Sequence, residues 1–335
     1  MTVLLPGFLD AHVHLALIDP AVLAAGGIGR VLDLGGWTPS DDPTDGEPEG
    51  TASLPETRFA GQFLGAPGGY PSRQAWAPAG SACPVASPSE AAIAVARQVA
   101  VGASVIKVTL NSAAGPVLAP DTLAAIVVAA HARMLPVAAH AEGPGQAAAA
   151  LNAGVDLLAH TPFSEALPDA LRGAMAGRMT WISTLDIHGW GEPTAAFFVA
   201  SDNLARFHGA GGRVLYGTDL GNGPLPVGLN RREIEALLAC GLSPDDVLAA
   251  LTADFPGRPA GASVDMASGA AASGAAASVD RPAPAGTVTV VPGDRPTDPH
   301  DLAGFTDWLL GARSQPAHAL PARALTRPDL EDLRS

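Results

Sequence analysis

A single lysine, Lys107, occurs in this chain of 335 residues. It lies in Ala103-Ser104-Val105-Ile106-Lys107-Val108-Thr109-Leu110, a β-branched apolar run that predicts a buried strand. Histidine aside, every other basic residue is arginine. A buried ammonium costs on the order of several kcal/mol unless it is paired or discharged. Guanidinium stays protonated, so arginine cannot replace a lysine whose task needs a neutral amine. The residue type therefore points to chemistry at Lys107. The plain alternative is a lysine leaving a strand end into solvent.

Further candidates share this setting. His12 and His14 close an apolar run as Asp10-Ala11-His12-Val13-His14. An i, i+2 pair on a strand projects to one face, so both imidazoles can reach one metal ion. His140 ends Val137-Ala138-Ala139-His140, His160 ends Leu157-Leu158-Ala159-His160, and Asp219 ends Leu215-Tyr216-Gly217-Thr218-Asp219. His-x-His alone is a weak motif. Its weight comes from the other residues, each at or near the end of a predicted strand.

The elements that must position them alternate regularly. Strands are expected at 4–13, 29–34, 58–65, 103–110, 135–141, 156–160, 179–185 and 213–218. Helical stretches are expected at 89–101, 120–133, 145–154, 201–209 and 230–241. This order predicts an α/β fold, a (β/α)8 TIM barrel over residues 1–255. The alternative, a doubly wound open sheet, is weakened because no glycine-rich phosphate loop follows the first strand. Two connections, 37–56 and 66–88, read as long loops at the C-terminal face, where barrel active sites are built. Residues 256–286 are of low complexity and read as a linker. Residues 287–335 read as a small appendage with one strand, 287–291, a short helix near 301–312 and a loosely ordered tail from Arg313.

The set resembles the amidohydrolase superfamily over residues 4–255, with a local flavour of its imidazolonepropionase and prolidase-like branch. The matching pieces are Pro6-Gly7-Phe8-Leu9-Asp10-Ala11-His12-Val13-His14, Lys107, His140, His160 and Gly217-Thr218-Asp219. The resemblance implies two divalent metal ions. His12, His14 and Asp219 would hold the more buried one, and His140 and His160 the second. Lys107 would carry a CO2-derived carbamate bridging both, which explains why lysine stands there. A hydroxide shared by the metals would be the nucleophile, with Asp219 as general base and then acid. Zinc suits such ligands, with manganese, iron or nickel as alternatives. A mononuclear centre without a carbamate, as in imidazolonepropionase-like members, stays open. The implied activity is hydrolysis of a C–N bond in a small molecule: an amide, peptide or cyclic amide. An ester, lactone or phosphotriester hydrolase, or a non-catalytic metal-binding barrel, are the alternatives.

Residues near the ligands are candidates for substrate contact. Glu142 follows His140 and either orients substrate or is a solvated loop carboxylate. Asp186 and His188 follow the seventh strand. Tyr70 and Arg73 sit on the third loop, with Arg73 a candidate clamp for a substrate carboxylate. Relatives in the superfamily often carry a small β-sandwich built from both chain ends. With so few residues before the first strand, its N-terminal half is expected to be missing here, leaving a reduced C-terminal appendage.

Composition narrows the partners. The formal net charge of −14 argues against nucleic acid and anionic membrane surfaces. No signal peptide or membrane span is expected. Cys83 and Cys240 stand far apart in no metal-type spacing, which fits a reducing cytoplasm. A homo-oligomer is compatible with the chain.

Overall fold

The expected first strand, 4–13, is two strands that turn apart at Gly7. β1 (Thr2–Pro6) leaves the barrel, whereas β2 (Phe8–Val13) enters it fully buried. The computed structural model describes residues 2–39, 54–257 and 286–319. Most of the 37–56 loop and of the 256–286 linker lies outside the described residues.

Parallel pairing runs from β2 to β3 (Ile28–Asp33) and on to β4 (Glu56–Phe59). The expected third strand, 58–65, is then interrupted at Ala60-Gly61-Gln62, where Gln98 Oε1 accepts from the Gln62 amide at 2.9 Å. Past the break, β5 (Phe63–Gly65) pairs with β6 (Ala82–Pro84), a short strand formed within the 66–88 loop. It also pairs with β7 (Ile106–Asn111). From there the sheet continues through β8 (Val137–Glu142), β9 (Leu157–Leu158), β10 (Thr180–Ile182) and β11 (Arg213–Leu215). Backbone hydrogen bonds join the last of these strands to the first. Ala11 N donates to Tyr216 O at 2.9 Å, Asp219 N to His12 O at 2.8 Å, and His14 N to Leu220 O at 2.8 Å. The arrangement is that of a TIM-barrel-like α/β fold.

Helices clothe the strands from β6 onward: α1 (Pro88–Ala100), α2 (Pro120–His131), α3 (Gln146–Ala153), α4 (Asp169–Ala176), α5 (Ala195–Gly209), α6 (Arg231–Ala239) and α7 (Pro244–Thr252). Leu123, Ile126, Val127 and Ala130 of α2 are buried, the i, i+3, i+4, i+7 stripe of a half-covered helix. The β2–β3 connection, by contrast, contains only 3-10 turns. A period of two sorts the strands. Ile106, Val108 and Leu110 of β7 join the core that includes the helices, so Lys107, Thr109 and Asn111 point to the barrel interior. The same parity on β8 turns His140 and Glu142 inward. Register places Lys107 opposite Ala138, Thr109 opposite His140 and Asn111 opposite Glu142.

The appendage differs from the sequence expectation. β12 (Thr287–Pro292) pairs antiparallel with β1 on one side and with β13 (Arg313–Pro316) on the other. α8 (Leu302–Leu310) connects β12 and β13. The small sheet thus has three strands and uses both chain ends: the N-terminal contribution is present, and the tail beyond Arg313 begins as a strand. Gly7 makes this docking possible. A Cβ there would lie 2.1 Å from Thr287 Oγ1 and 2.9 Å from the Thr287 carbonyl, to which Gly7 N donates at 3.0 Å. We expect Gly7→Ala to destabilise the protein by about 1–3 kcal/mol through overpacking. Denaturant unfolding checks this; an unchanged midpoint would show that the small sheet does not depend on this contact.

Candidate metal centre

The barrel brings together the side chains that the sequence placed at its strand ends. Asp219 Oδ1 lies 3.1 Å from His12 Nε2 and 3.1 Å from His14 Nε2. Ligand-type atoms of His12, His160 and Asp219 all fall within 4.8 Å of one another, and all three residues are buried. The rings of His12 and His160 are 4.7 Å apart between centroids, and those of His140 and His160 4.9 Å. Lys107 is 2% exposed on the interior face. His140 is close by, but its Nε2 is turned to Glu142 Oε2 at 3.1 Å.

His12, His14 and His160 are each oriented through Nδ1. His12 Nδ1 lies 2.8 Å from the Ala159 carbonyl, and His14 Nδ1 2.8 Å from the Gly35 carbonyl. A carbonyl only accepts, so both Nδ1 atoms carry the proton. His160 Nδ1 is 2.9 Å from Thr184 Oγ1. Such partners fix the ring and its tautomer, as in metal sites generally.

Burial holds the imidazoles of His12 and His160 well below their ordinary range. Burial also opposes charge on His14, but the neighbouring Asp219, with Asp33, outweighs it and raises that group. The Asp219 carboxyl is held well below the usual range: burial works against ionisation, and His12, His14 and His160 overcome it. Burial brings the Lys107 ammonium down to about 7, with Asp219 and Asp33 acting the other way.

These donors fit a metal ion. His12 Nε2 and Asp219 Oδ1 are both buried, and neither makes an aligned hydrogen bond among the described residues. With its proton on Nδ1, His12 faces the carboxylate oxygen with a lone pair. Two buried acceptors in opposition are costly, and a cation between them removes the cost.

The second tier divides. Tyr70 stacks on His140 with centroids 4.8 Å apart, and Trp76 lies 5.9 Å from Tyr70 and 6.0 Å from His14. The third loop therefore covers the centre with aromatic rings. His188 packs on Phe163 at 4.2 Å, and its buried Nε2 has no partner among the described residues. Burial lowers its pKa to about 4. Asp186 is turned to another use. Its oxygens accept from Asn230 Nδ2 at 2.7 Å and Arg232 Nε at 2.8 Å, so it fastens the β10 loop to α6. Each Asp186 oxygen thus already has a partner within the protein. Arg73 is exposed beside Gly68 rather than clamped over the mouth.

Sequence reasoning missed the supports. Asp10 Oδ2 accepts from Thr218 Oγ1 at 2.6 Å, and Oδ1 from the amides of Thr218 at 3.0 Å and His12 at 3.1 Å. Asp33 accepts from the amides of Leu15 at 2.6 Å and Gly35 at 2.9 Å, steadying the carbonyl that holds His14. Asn222 Nδ2 donates to Asp219 Oδ2 at 2.9 Å, and Asn111 Nδ2 to Glu142 Oε2 at 2.6 Å. Asp10 and Thr218 were visible beside the ligands, but their pairing across the chain was not. Gly217 is required by close approach: a Cβ there would lie 2.3 Å from Ile182 Cγ2 and 3.2 Å from His12 N.

A family model described as the amidohydrolase family matches residues 3–254. The chain belongs to the amidohydrolase family. Solved structures share the fold of this amidohydrolase at low identity. Ochratoxinase from A. niger is 22% identical, with 76% of this chain and 71% of that chain covered and a TM-score of 0.60. A Xaa-Pro dipeptidase with bound methionine in its active site is 18% identical, with 91% and 84% covered and a TM-score of 0.62. Phenylurea hydrolase B is 14% identical, with 96% and 85% covered and a TM-score of 0.61. A comparison with curated proteins returned no match. No described helix of the amidohydrolase is long and apolar enough to cross a membrane.

Thr184→Val removes the partner of His160 Nδ1 while keeping the side-chain shape. We expect roughly 10–100-fold weaker metal binding with the fold retained. Competition with a chromophoric chelator checks the affinity; an unchanged value would mean that Thr184 does not orient His160.

Proposed function

We propose that this amidohydrolase is a metal-dependent hydrolase of a C–N bond in a small molecule, an amide, peptide or cyclic amide. The observation that carries this is the buried, unprotonated meeting of His12 Nε2 and Asp219 Oδ1 at 3.1 Å, with His14 and His160 beside it. The fold shared with a Xaa-Pro dipeptidase and a phenylurea hydrolase supports a carbonyl–nitrogen substrate.

In this proposal His12, His14 and Asp219 would hold one ion, His140 and His160 would hold a second, and Lys107 would supply a carbamate as a further ligand. Zinc suits the imidazole and carboxylate donors. Burial favours the neutral amine that carbamate formation needs. That amine adds to the carbon of CO2, forms an N–C bond and releases one proton. A one-ion centre is the second reading, and the observation favouring it is the turn of His140 Nε2 toward Glu142.

When bound, the ions supply Lewis acidity, which polarises a carbonyl and lowers the pKa of water. Asp219 Oδ1 faces the imidazoles of the ion site, and Oδ2, held in place by Asn222, would take a proton from the attacking water. The water oxygen bonds to the carbonyl carbon, the C–N bond breaks, and Asp219 delivers the proton to the leaving nitrogen. Acid and amine result. Tyr70 and Trp76 reduce the access of bulk water.

Elemental analysis on protein purified with bicarbonate tests the centre. We expect about two metal ions per chain, one fewer in Lys107→Ala, and loss of nearly all turnover on an amide panel in that variant. Short carboxylic acids should restore part of it by bridging in place of the carbamate. Unchanged metal content in Lys107→Ala would remove the carbamate, and a wild-type protein inert on the whole panel would remove the hydrolase.

A further inference from the structure

One carboxylate at the barrel mouth is firmly placed yet half used. Glu142 ends β8 with its side chain 30% exposed. Its contacts fall on a single oxygen: Asn111 Nδ2 donates to Oε2 at 2.6 Å, and His140 Nε2 lies 3.1 Å from the same atom. Oε1 takes no hydrogen bond among the described residues. A carboxylate pinned at one oxygen and open at the other is an acceptor prepared for a donor from outside.

The surroundings specify the charge of that donor. Tyr70 and Trp76 supply aromatic faces beside His140, a setting that favours cations. The charges acting most strongly on Glu142, His140, His188 and Asp219 include no arginine. Arg73, the arginine of the covering loop, is exposed. Among the described residues, no arginine makes a hydrogen bond or ion pair with Glu142, His140 or Asp219. The formal charge of −14 adds a field that draws cations in and repels anions.

Resting on the hydrolase reading above, we infer that Glu142 selects substrates carrying an ammonium group next to the scissile amide. These are aminoacyl amides and peptides with a free α-amine, rather than N-acyl amino acids. The ammonium donates to Oε1, while Asn111 keeps the carboxylate from turning.

The test is binding by tryptophan fluorescence to the zinc-loaded protein, with two probes that lack a hydrolysable bond. L-Leucinol carries the ammonium, and 4-methylpentan-1-ol is the same skeleton without it. We expect leucinol to bind roughly tenfold or more tighter, as a charge-assisted hydrogen bond allows. Glu142→Gln should abolish that difference while leaving the binding of the alcohol, the metal content and the melting temperature unchanged. Equal binding of the two probes by the wild type, or a preference that survives in Glu142→Gln, overturns the inference. The first result would leave Glu142 as a mere partner of His140. Because neither probe is turned over, failure of amide hydrolysis with the preference intact removes the functional reading and not this one. Turnover without the preference does the reverse.

Discussion

The structure depends on the seam where the last parallel strand meets the first. Three backbone hydrogen bonds, Ala11 N to Tyr216 O, Asp219 N to His12 O and His14 N to Leu220 O, span it. They bring residues more than two hundred positions apart into one constellation. The seam also places a carboxylate against two imidazoles, so barrel closure and assembly of the centre are one event. A shift of one residue would turn the histidines from the interior to the helices, because side chains alternate along a strand. Gly217 permits the approach, and Asp10 bolts it by accepting from Thr218 on the far strand and from His12 on its own.

The two supporting carboxylates explain how the seam tolerates so many buried polar groups. Burial pushes the carboxyls of Asp10 and Asp33 up, to about 7 and about 6. Each nonetheless accepts backbone amides at strand ends, where the ladder has run out of partners. Such amides would otherwise be unsatisfied, at a cost of roughly 1–3 kcal/mol each. Asp33 adds one step more, since the Gly35 it steadies offers its carbonyl to His14.

Much of the centre was legible in the sequence, because strand-end position and period-two parity are local properties. The inward face of Lys107, His140 and Glu142 follows from the apolar residues on either side of them. What was not legible required knowledge of partners distant in the chain. Thr2–Pro6 reads as the start of a barrel strand until Thr287 is placed beside Gly7. Asp186 looks like a mouth carboxylate until Asn230 and Arg232 arrive from α6. The break at Ala60-Gly61-Gln62 is stabilised by Gln98, a helical residue with no sequence mark of that role. α4 was hidden because only Arg172 and Met175 of it are buried, which leaves no apolar stripe to read. α7 was not among the expected helices either, although its capping box of Ser243 and Asp246 with Pro244 between is a local start signal.

Two backbone positions show how firmly the barrel holds the centre. Thr184 has φ 42° and Asp219 φ 60°, left-handed conformations that disfavour a residue with a Cβ. Each costs on the order of 1–3 kcal/mol and persists only where the surroundings over-determine it. Both lie just past the ends of neighbouring strands, and both serve the centre: Thr184 orients His160, and Asp219 faces His12 and His14. Thr184 N donates to Gly217 O at 3.0 Å and Asp219 N to His12 O at 2.8 Å, so hydrogen bonds between neighbouring strand ends, one of them a seam bond, hold the strained residues. The strain and the opposed acceptors are thus stored in one place. A cation would relieve the second without disturbing the first, which is the condition for binding a metal without rearranging the fold.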